Sequence, residues 1–290
     1  MASGMNRTAP AVPLLSSVKA LAATSDAWIC DIWGVMHNGV APFLAAAEAA
    51  LAFRAQGGTI CLLTNAPRPH GSVIAQMDSI GVPAGIYDAV VTSGDLTREL
   101  IAQRPDKRLF HLGPPRDEAI FDGLDVELIG PDQADFVICS GYYNDEVETP
   151  DDYADMLATF HRNDALMVCA NPDIVVERGH RLVYCAGALA EAYVKIGGRV
   201  IYAGKPHAPA YEMALGMIEK VRGRHVPKDR ILGIGDALRT DMAGAANFGI
   251  RSLFIGSALH VKGPLDGAVL TGLFERAAVK PVGAMDGLRW

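Results

Sequence analysis

The sequence has little of what would make it a membrane, nucleic-acid or disulfide-stapled protein. No apolar run approaches the roughly 20 residues needed to cross a bilayer, so no membrane partner is expected. Basic residues number 26 against 33 acidic ones, and the net charge of −7 offers a DNA or RNA backbone no electrostatic attraction. The five cysteines, Cys30, Cys61, Cys139, Cys169 and Cys185, show no two-residue spacing of the kind that binds zinc. They lie in apolar stretches such as AWIC, TICLL and DFVIC, which predicts buried free thiols in a reducing compartment. No GxGxxG follows the first predicted strand, which ends in an aspartate, and this argues against a nicotinamide dehydrogenase. Residues 1–24 contain a modest apolar section without a clean cleavage signal, so a cytoplasmic location is expected.

What is present is a set of short apolar runs, each stopped by a polar or glycine-containing turn. They are residues 27–30, 59–63, 199–203, 230–234 and 251–255. Segments with helical periodicity, 43–57, 208–221 and 240–249, lie between them. Wholly apolar strands alternating with helices predict an α/β fold with a Rossmann-like parallel sheet covered on both faces. A second block, 91–192, has strand and helix patterns of its own at 107–113, 126–130, 135–141, 151–162 and 165–173. It starts and stops inside the first unit. An inserted α/β cap domain (91–192) within a discontinuous core (20–90 and 193–290) is therefore expected.

Ligands of open α/β sheets bind beyond the carboxyl ends of the strands. Reading there gives Asp31 after the first run, Thr64 and Asn65 after the second, Lys205 after 199–203, and Asp236 with Asp241 after 230–234. Singly, each has a plainer role: a helix cap for the aspartates, a turn for Thr64–Asn65, a solvated side chain for Lys205. Together they have a chemical logic. Two bare carboxylates 4 Å apart repel by about 4 kcal/mol at an effective dielectric near 20. A hard cation such as Mg²⁺ removes that cost, while an ammonium, a hydroxyl and an amide can hold phosphate oxygens. One carboxylate is then placed to attack phosphorus.

At this point the chain resembles the haloacid dehalogenase-like hydrolases, in the subclass with a large α/β cap between the second and third motifs. N-acetylglucosamine-phosphate and pyridoxal-phosphate phosphatases are its familiar members. The motifs are DIWGVMHNG (31–39), LLTNAPRP (62–69), GKPHAP (204–209) and GDALRTDMAGAANFG (235–249). In the cap, ADFVICSG (134–141), ANPD (170–173) and AGALAEA (186–192) match in order. The resemblance implies Asp31 as nucleophile, Thr64 and Lys205 on the phosphoryl group, and Asp236 as a Mg²⁺ ligand supported by Asp241. The backbone carbonyl of Trp33 would be a further ligand. Asn171 and Asp173 would face the leaving group of a small phosphorylated metabolite such as a sugar phosphate, nucleotide or pyridoxal phosphate. A homodimer through the cap is compatible with the sequence, though nothing in it requires one.

The departure from the pattern is Trp33, where phosphatases of this type carry the second aspartate of DxD. An indole has one N–H donor and no acid near neutrality, so it cannot protonate a leaving oxygen. General acid–base catalysis supplies roughly 10²–10⁴-fold in rate. Three outcomes stay open: His37 takes the role, the cap supplies an acid from Asp145, Glu146 or Asp173, or the protein binds phosphorylated ligands with little or no turnover. Acyl phosphates, with acidic leaving groups, would need the acid least.

Overall fold

The computed structural model describes residues 12–178, 181–256, 264–275, 277 and 280–290. Its centre is a six-stranded, wholly parallel sheet. Across the sheet the order is Gly283–Met285, Arg251–Ile255, Ile231–Gly235, Ala27–Cys30, Thr59–Thr64 and Ala89–Thr92. The alternation of side chains along a strand feeds two cores at once. Trp28 and Cys30 join one apolar cluster, and Ala27 and Ile29 join the other. Likewise Ile60 and Leu62 face the first cluster, Cys61 and Leu63 the second. Burial on both faces is why these runs carry no polar alternation.

Helices cover each face. In Leu44–Ala55 four buried alanines and Phe53 lie against the sheet, with the Phe53 ring stacked on Trp28 at 4.1 Å. On the opposite face Ala208–Arg222 buries Ala210, Tyr211, Ala214 and Ile218, one stripe of a helix. The chain leaves the central strand Ala27–Cys30 toward one edge and later returns beside it at Ile231–Gly235 to build the other. This reversal opens a crevice at the carboxyl ends of those two strands, the position where such sheets bind ligands.

Inserted after Ala89–Thr92 is a second parallel sheet, in the order Arg199–Tyr202, Leu166–Cys169, Phe136–Cys139, Arg108–Leu112, Glu127–Leu128. An antiparallel hairpin, Val175–Arg178 with Arg181–Tyr184, projects from it. The expected strands within 107–173 all form, and the patterned stretch 151–162 becomes a short 3₁₀ turn running into the helix Ala154–Arg162. One expectation is corrected. The run at 199–203, assigned to the core, is an edge strand of the inserted sheet, paired with Leu166–Cys169. Its burial alternates between exposed and half-buried residues, whereas Ile231–Gly235 is buried throughout. The two sheets are not separate bodies in packing terms, because Phe136, Ile138, Val168 and Ala203 share a cluster with Ile29 and Leu63. All five cysteines are buried free thiols, as their apolar settings predicted.

Candidate active site

The crevice gathers residues spread over more than two hundred positions of sequence. Asp31 follows the central strand, Thr64 ends the next, and Asp236 follows Ile231–Gly235. Lys205 is buried and donates from Nζ to Asp31 Oδ1 at 2.7 Å and to Asp241 Oδ1 at 2.6 Å. Asp31, Asp236 and Asp241 each present an oxygen within 4.8 Å of the others. The second oxygen of Asp241 accepts the Ala237 N–H at 3.1 Å, so this carboxylate is largely occupied in bracing the loop and Lys205.

Among the described residues, these three carboxylates share one ammonium, so acidic groups outnumber the cation in a buried space. Burial, and then the charges of Asp241 and Asp236, push the Asp31 carboxyl well above the usual range, with Lys205 pulling the other way. For Lys205 burial opposes the charged form, but Asp241 and Asp31 outweigh it and hold the ammonium well above its ordinary value. A divalent cation is the species whose charge matches this deficit, and the donor set is all oxygen, as hard cations prefer. The backbone is shaped for the approach: Gly34 has φ +80°, and a Cβ there would lie 2.1 Å from Asp236 Oδ2. Only glycine lets the first-motif backbone and the Asp236 carboxylate come this close. The residues present thus fit a divalent metal.

The crevice opens into a cavity of about 670 Å³ lined by Asp31, Trp33, Thr64, Asn65, Asp173, Lys205 and Asp236, among others. Seven of the nine residues singled out from sequence therefore share one cavity wall. Asp241 stands behind Lys205 and Asn171 lies in the wall of a smaller neighbouring chamber. The side chain of Asn65 is used differently from expectation. One amide N–H donates to Asp173 Oδ1 at 3.0 Å and the other to the Lys205 carbonyl at 3.2 Å. Its oxygen accepts the Lys205 N–H at 2.8 Å and the Ser93 hydroxyl at 3.3 Å. With both hydrogens taken, this amide is a brace between the core loops and the inserted unit, and not a phosphate donor. Thr64 keeps its hydroxyl proton, since Oγ1 only accepts from the Ala66 N–H at 3.2 Å.

The groups expected to compete for the acid role separate clearly. His37 is buried, accepts the Gly39 N–H at Nδ1 (3.0 Å), and has its pKa lowered to about 4 by burial. It holds the loop after Asp31 in shape and stands edge-on to the Trp33 ring, with centroids 5.1 Å apart. Asp145 is gripped by Arg116 and Arg178, and these pairings hold its carboxyl below the usual range despite partial burial. Glu146 is exposed. Asp173 alone of these lines the cavity, and burial raises its carboxyl, opposed by Lys205 and by the bond from Asn65. His207 precedes the helix Ala208–Arg222 and stacks on Tyr202, as a helix-start residue would.

Reading the strand ends missed Ser93 and Gly34. Ser93 follows Ala89–Thr92, a short strand absent from the list of apolar runs, and the same rule applied there would have found it. Gly34 carried the ordinary glycine signal, but its partner Asp236 is 202 positions away and invisible locally.

Comparisons with known proteins agree with this geometry. The profile described as haloacid dehalogenase-like hydrolase matches residues 28–127, and a second, HAD-hydrolase-like profile matches 202–280. The ribonucleotide monophosphatase NagD of Escherichia coli K12 is 28% identical over 248 residues, 82% of this chain and 90% of that protein. The crystal structure of a 4-nitrophenylphosphatase from Thermotoga maritima superposes with a TM-score of 0.69 at 24% identity, covering 92% of this chain and 96% of that one, and so speaks to fold. The crystal structure of a haloacid dehalogenase-like family hydrolase from Brucella suis 1330 is 48% identical, with a TM-score of 0.85 over 95% of this chain and all of that one. Such identity along the whole length, joined to the acidic crevice and the inserted sheet, shows that this chain belongs to the haloacid dehalogenase-like hydrolases.

Proposed function

We propose that this protein is a Mg²⁺-dependent, phosphatase-like hydrolase of a small phosphorylated metabolite, with Asp31 as the nucleophile. The reading rests on the buried Lys205 ammonium bridging Asp31 and Asp241 at the wall of a ligand-sized cavity. A phosphoryl group placed there meets the ammonium, the Thr64 hydroxyl and an attacking carboxylate together. Asp31, Asp236 and the Trp33 carbonyl would hold the metal, with Asp241 in support, and the bound ion would offset the charge of the carboxylates and the phosphoryl oxygens. Asp31 Oδ would attack phosphorus, and the bond to the leaving oxygen would break, giving an aspartyl phosphate. Trp33 cannot protonate that oxygen. We assign the task to Asp173, whose raised pKa suits an acid and which, once deprotonated, can accept a proton from the attacking water. Asn65 would orient it.

A second reading is favoured by Trp33 itself: a protein that binds phosphorylated metabolites with weak turnover or none. A panel of phosphomonoesters, ribonucleotide monophosphates and acyl phosphates, assayed with and without Mg²⁺, separates the two. Turnover that requires Mg²⁺ and vanishes in Asp31→Asn, with binding retained, supports the hydrolase. Metal-dependent binding with no hydrolysis of any ester would establish the binding protein instead.

A further inference from the structure

Beside the acidic cavity, and sharing Trp33, Thr64 and Asp173 as common wall, lies a chamber of about 130 Å³ between the second-motif loop and the inserted unit. Its lining holds three arginines. Arg68 enters from the core side, Arg116 from the 3₁₀ helix Pro115–Phe121 of the inserted unit, and Arg178 from its hairpin. Arg178 grips Asp145 through both nitrogens, at 2.8 and 3.2 Å, and Arg116 bonds the same carboxylate. Arg68 has a carboxylate, Asp117, only at 4.0 Å and donates to Gln76 at 2.7 Å. Three guanidinium groups converge on these two carboxylates, on a chain whose overall charge is −7. The third carboxylate at the boundary, Asp173, is held by Asn65 and lies in the field of Lys205.

Two independent observations indicate an unfilled anion place. Burial, together with the like charges of Arg116 and Arg178, lowers Arg68 below the usual guanidinium range in spite of Asp117, so the arginines are crowded in a way that an anion would relieve. Tyr142 also lines the chamber, is 1% exposed, and its hydroxyl has no hydrogen-bond partner among the described residues. A buried hydroxyl left without a partner is destabilising, and a ligand oxygen would relieve it.

We infer that this chamber is a second oxyanion subsite, and that the metabolite carries, besides its phosphoryl group, a second anionic group recognised by Arg68, Arg116, Arg178 and the Tyr142 hydroxyl. The inference builds on the proposed phosphoryl site in the neighbouring cavity. Asp145 acts as the anchor that fixes two of the forks, and planar guanidinium groups suit a carboxylate and a phosphate alike.

Calorimetry with the full chain and Mg²⁺ tests it, in chains of three to six carbons: alkyl phosphates, the matching ω-carboxyalkyl phosphates and the matching bisphosphates. At least one doubly anionic series binds tenfold or more tighter than the alkyl phosphate, and which series gains decides between carboxylate and phosphate. Arg178→Gln removes that gain and leaves alkyl phosphate affinity unchanged. Arg178→Lys restores part of it, and Tyr142→Phe, which removes only the hydroxyl, lowers it in a correctly folded protein. Equal affinities at every length, or no measurable binding of either double anion, overturns the inference. Alkyl phosphate turnover and its dependence on Asp31 are read separately. Absent turnover with the affinity gap intact sinks the catalytic reading and leaves the subsite standing.

Discussion

The acidic cavity and the guanidinium chamber share a wall, yet they are held by different physics. In the first, the charged side chains are themselves buried: Lys205 is 4% exposed, and Asp31 and Asp241 are 9% and 6%. In the second, long side chains converge from a loop, a 3₁₀ helix and a hairpin, with Arg116 52% and Arg178 41% exposed around a half-buried Asp145. Water screens the second set and not the first, so similar ion pairs should differ several-fold in energetic weight. The core cavity behaves as a rigid charge trap, and the chamber beside it as an adjustable clamp. On the proposed reading, the former would serve catalysis and the latter selection among metabolites.

The largest effect expected from this contrast is on stability at Lys205. Lys205→Met leaves Asp31 and Asp241 buried without their ammonium, and loss of one partner from a buried pair costs about 3–5 kcal/mol. Urea denaturation in chelator measures it, and Mg²⁺ should restore part of the loss. A result near zero would mean that the cavity is as well hydrated as the chamber.

Next comes the loop that links Asp31 to its glycine. His37 is neutral in the fold, with its pKa about 4 against 6.5 for the unencumbered ring. Protonation therefore favours the unfolded chain. The stability it contributes is complete above about pH 6.5 and falls as the pH drops toward 4, by about 3 kcal/mol. Melting curves of the wild type and His37→Gln between pH 4 and 7.5 should show the wild type losing more stability on acidification. Parallel curves would show that the ring titrates normally.

Smaller, and of opposite sign, is the expected effect of Trp33→Asp. Placing a carboxyl at the wall common to both spaces should raise kcat for esters with poor leaving groups by tenfold or more, within the roughly 10²–10⁴-fold range of acid–base catalysis. Acyl phosphates should gain less, because their leaving groups need no proton. A uniform gain across both classes would point to easier access and not to proton transfer. Smallest is Arg116→Gln, whose half-exposed pair with Asp145 should cost under about 1 kcal/mol in the same urea assay that reads Lys205→Met. A loss as large as that of Lys205→Met would erase the distinction between trap and clamp.

Much of the fold was legible because its signals are local. Four of the five apolar runs are core strands, and an aspartate follows directly on two neighbouring ones. The run at 199–203 misled because apolar composition says that a strand exists but not which sheet receives it. Its register with Leu166–Cys169 is a long-range pairing, and as an edge strand it is only half covered. Asn65 misled for a related reason. An amide next to a strand-end threonine reads as a donor until the Lys205 backbone and Asp173 come within reach and take both hydrogens.

The sequence by itself determined that an α/β fold would carry acidic residues and a lysine just beyond its strands, because side-chain period and strand-end chemistry are properties of neighbouring residues. Tertiary structure alone decided which strand joined which sheet, that His37 supports a loop while Asp173 faces the cavity, and that Arg68, Arg116 and Arg178 meet around one small chamber. Those outcomes depend on the pairing of distant segments and on the burial it imposes, and no local pattern encodes either.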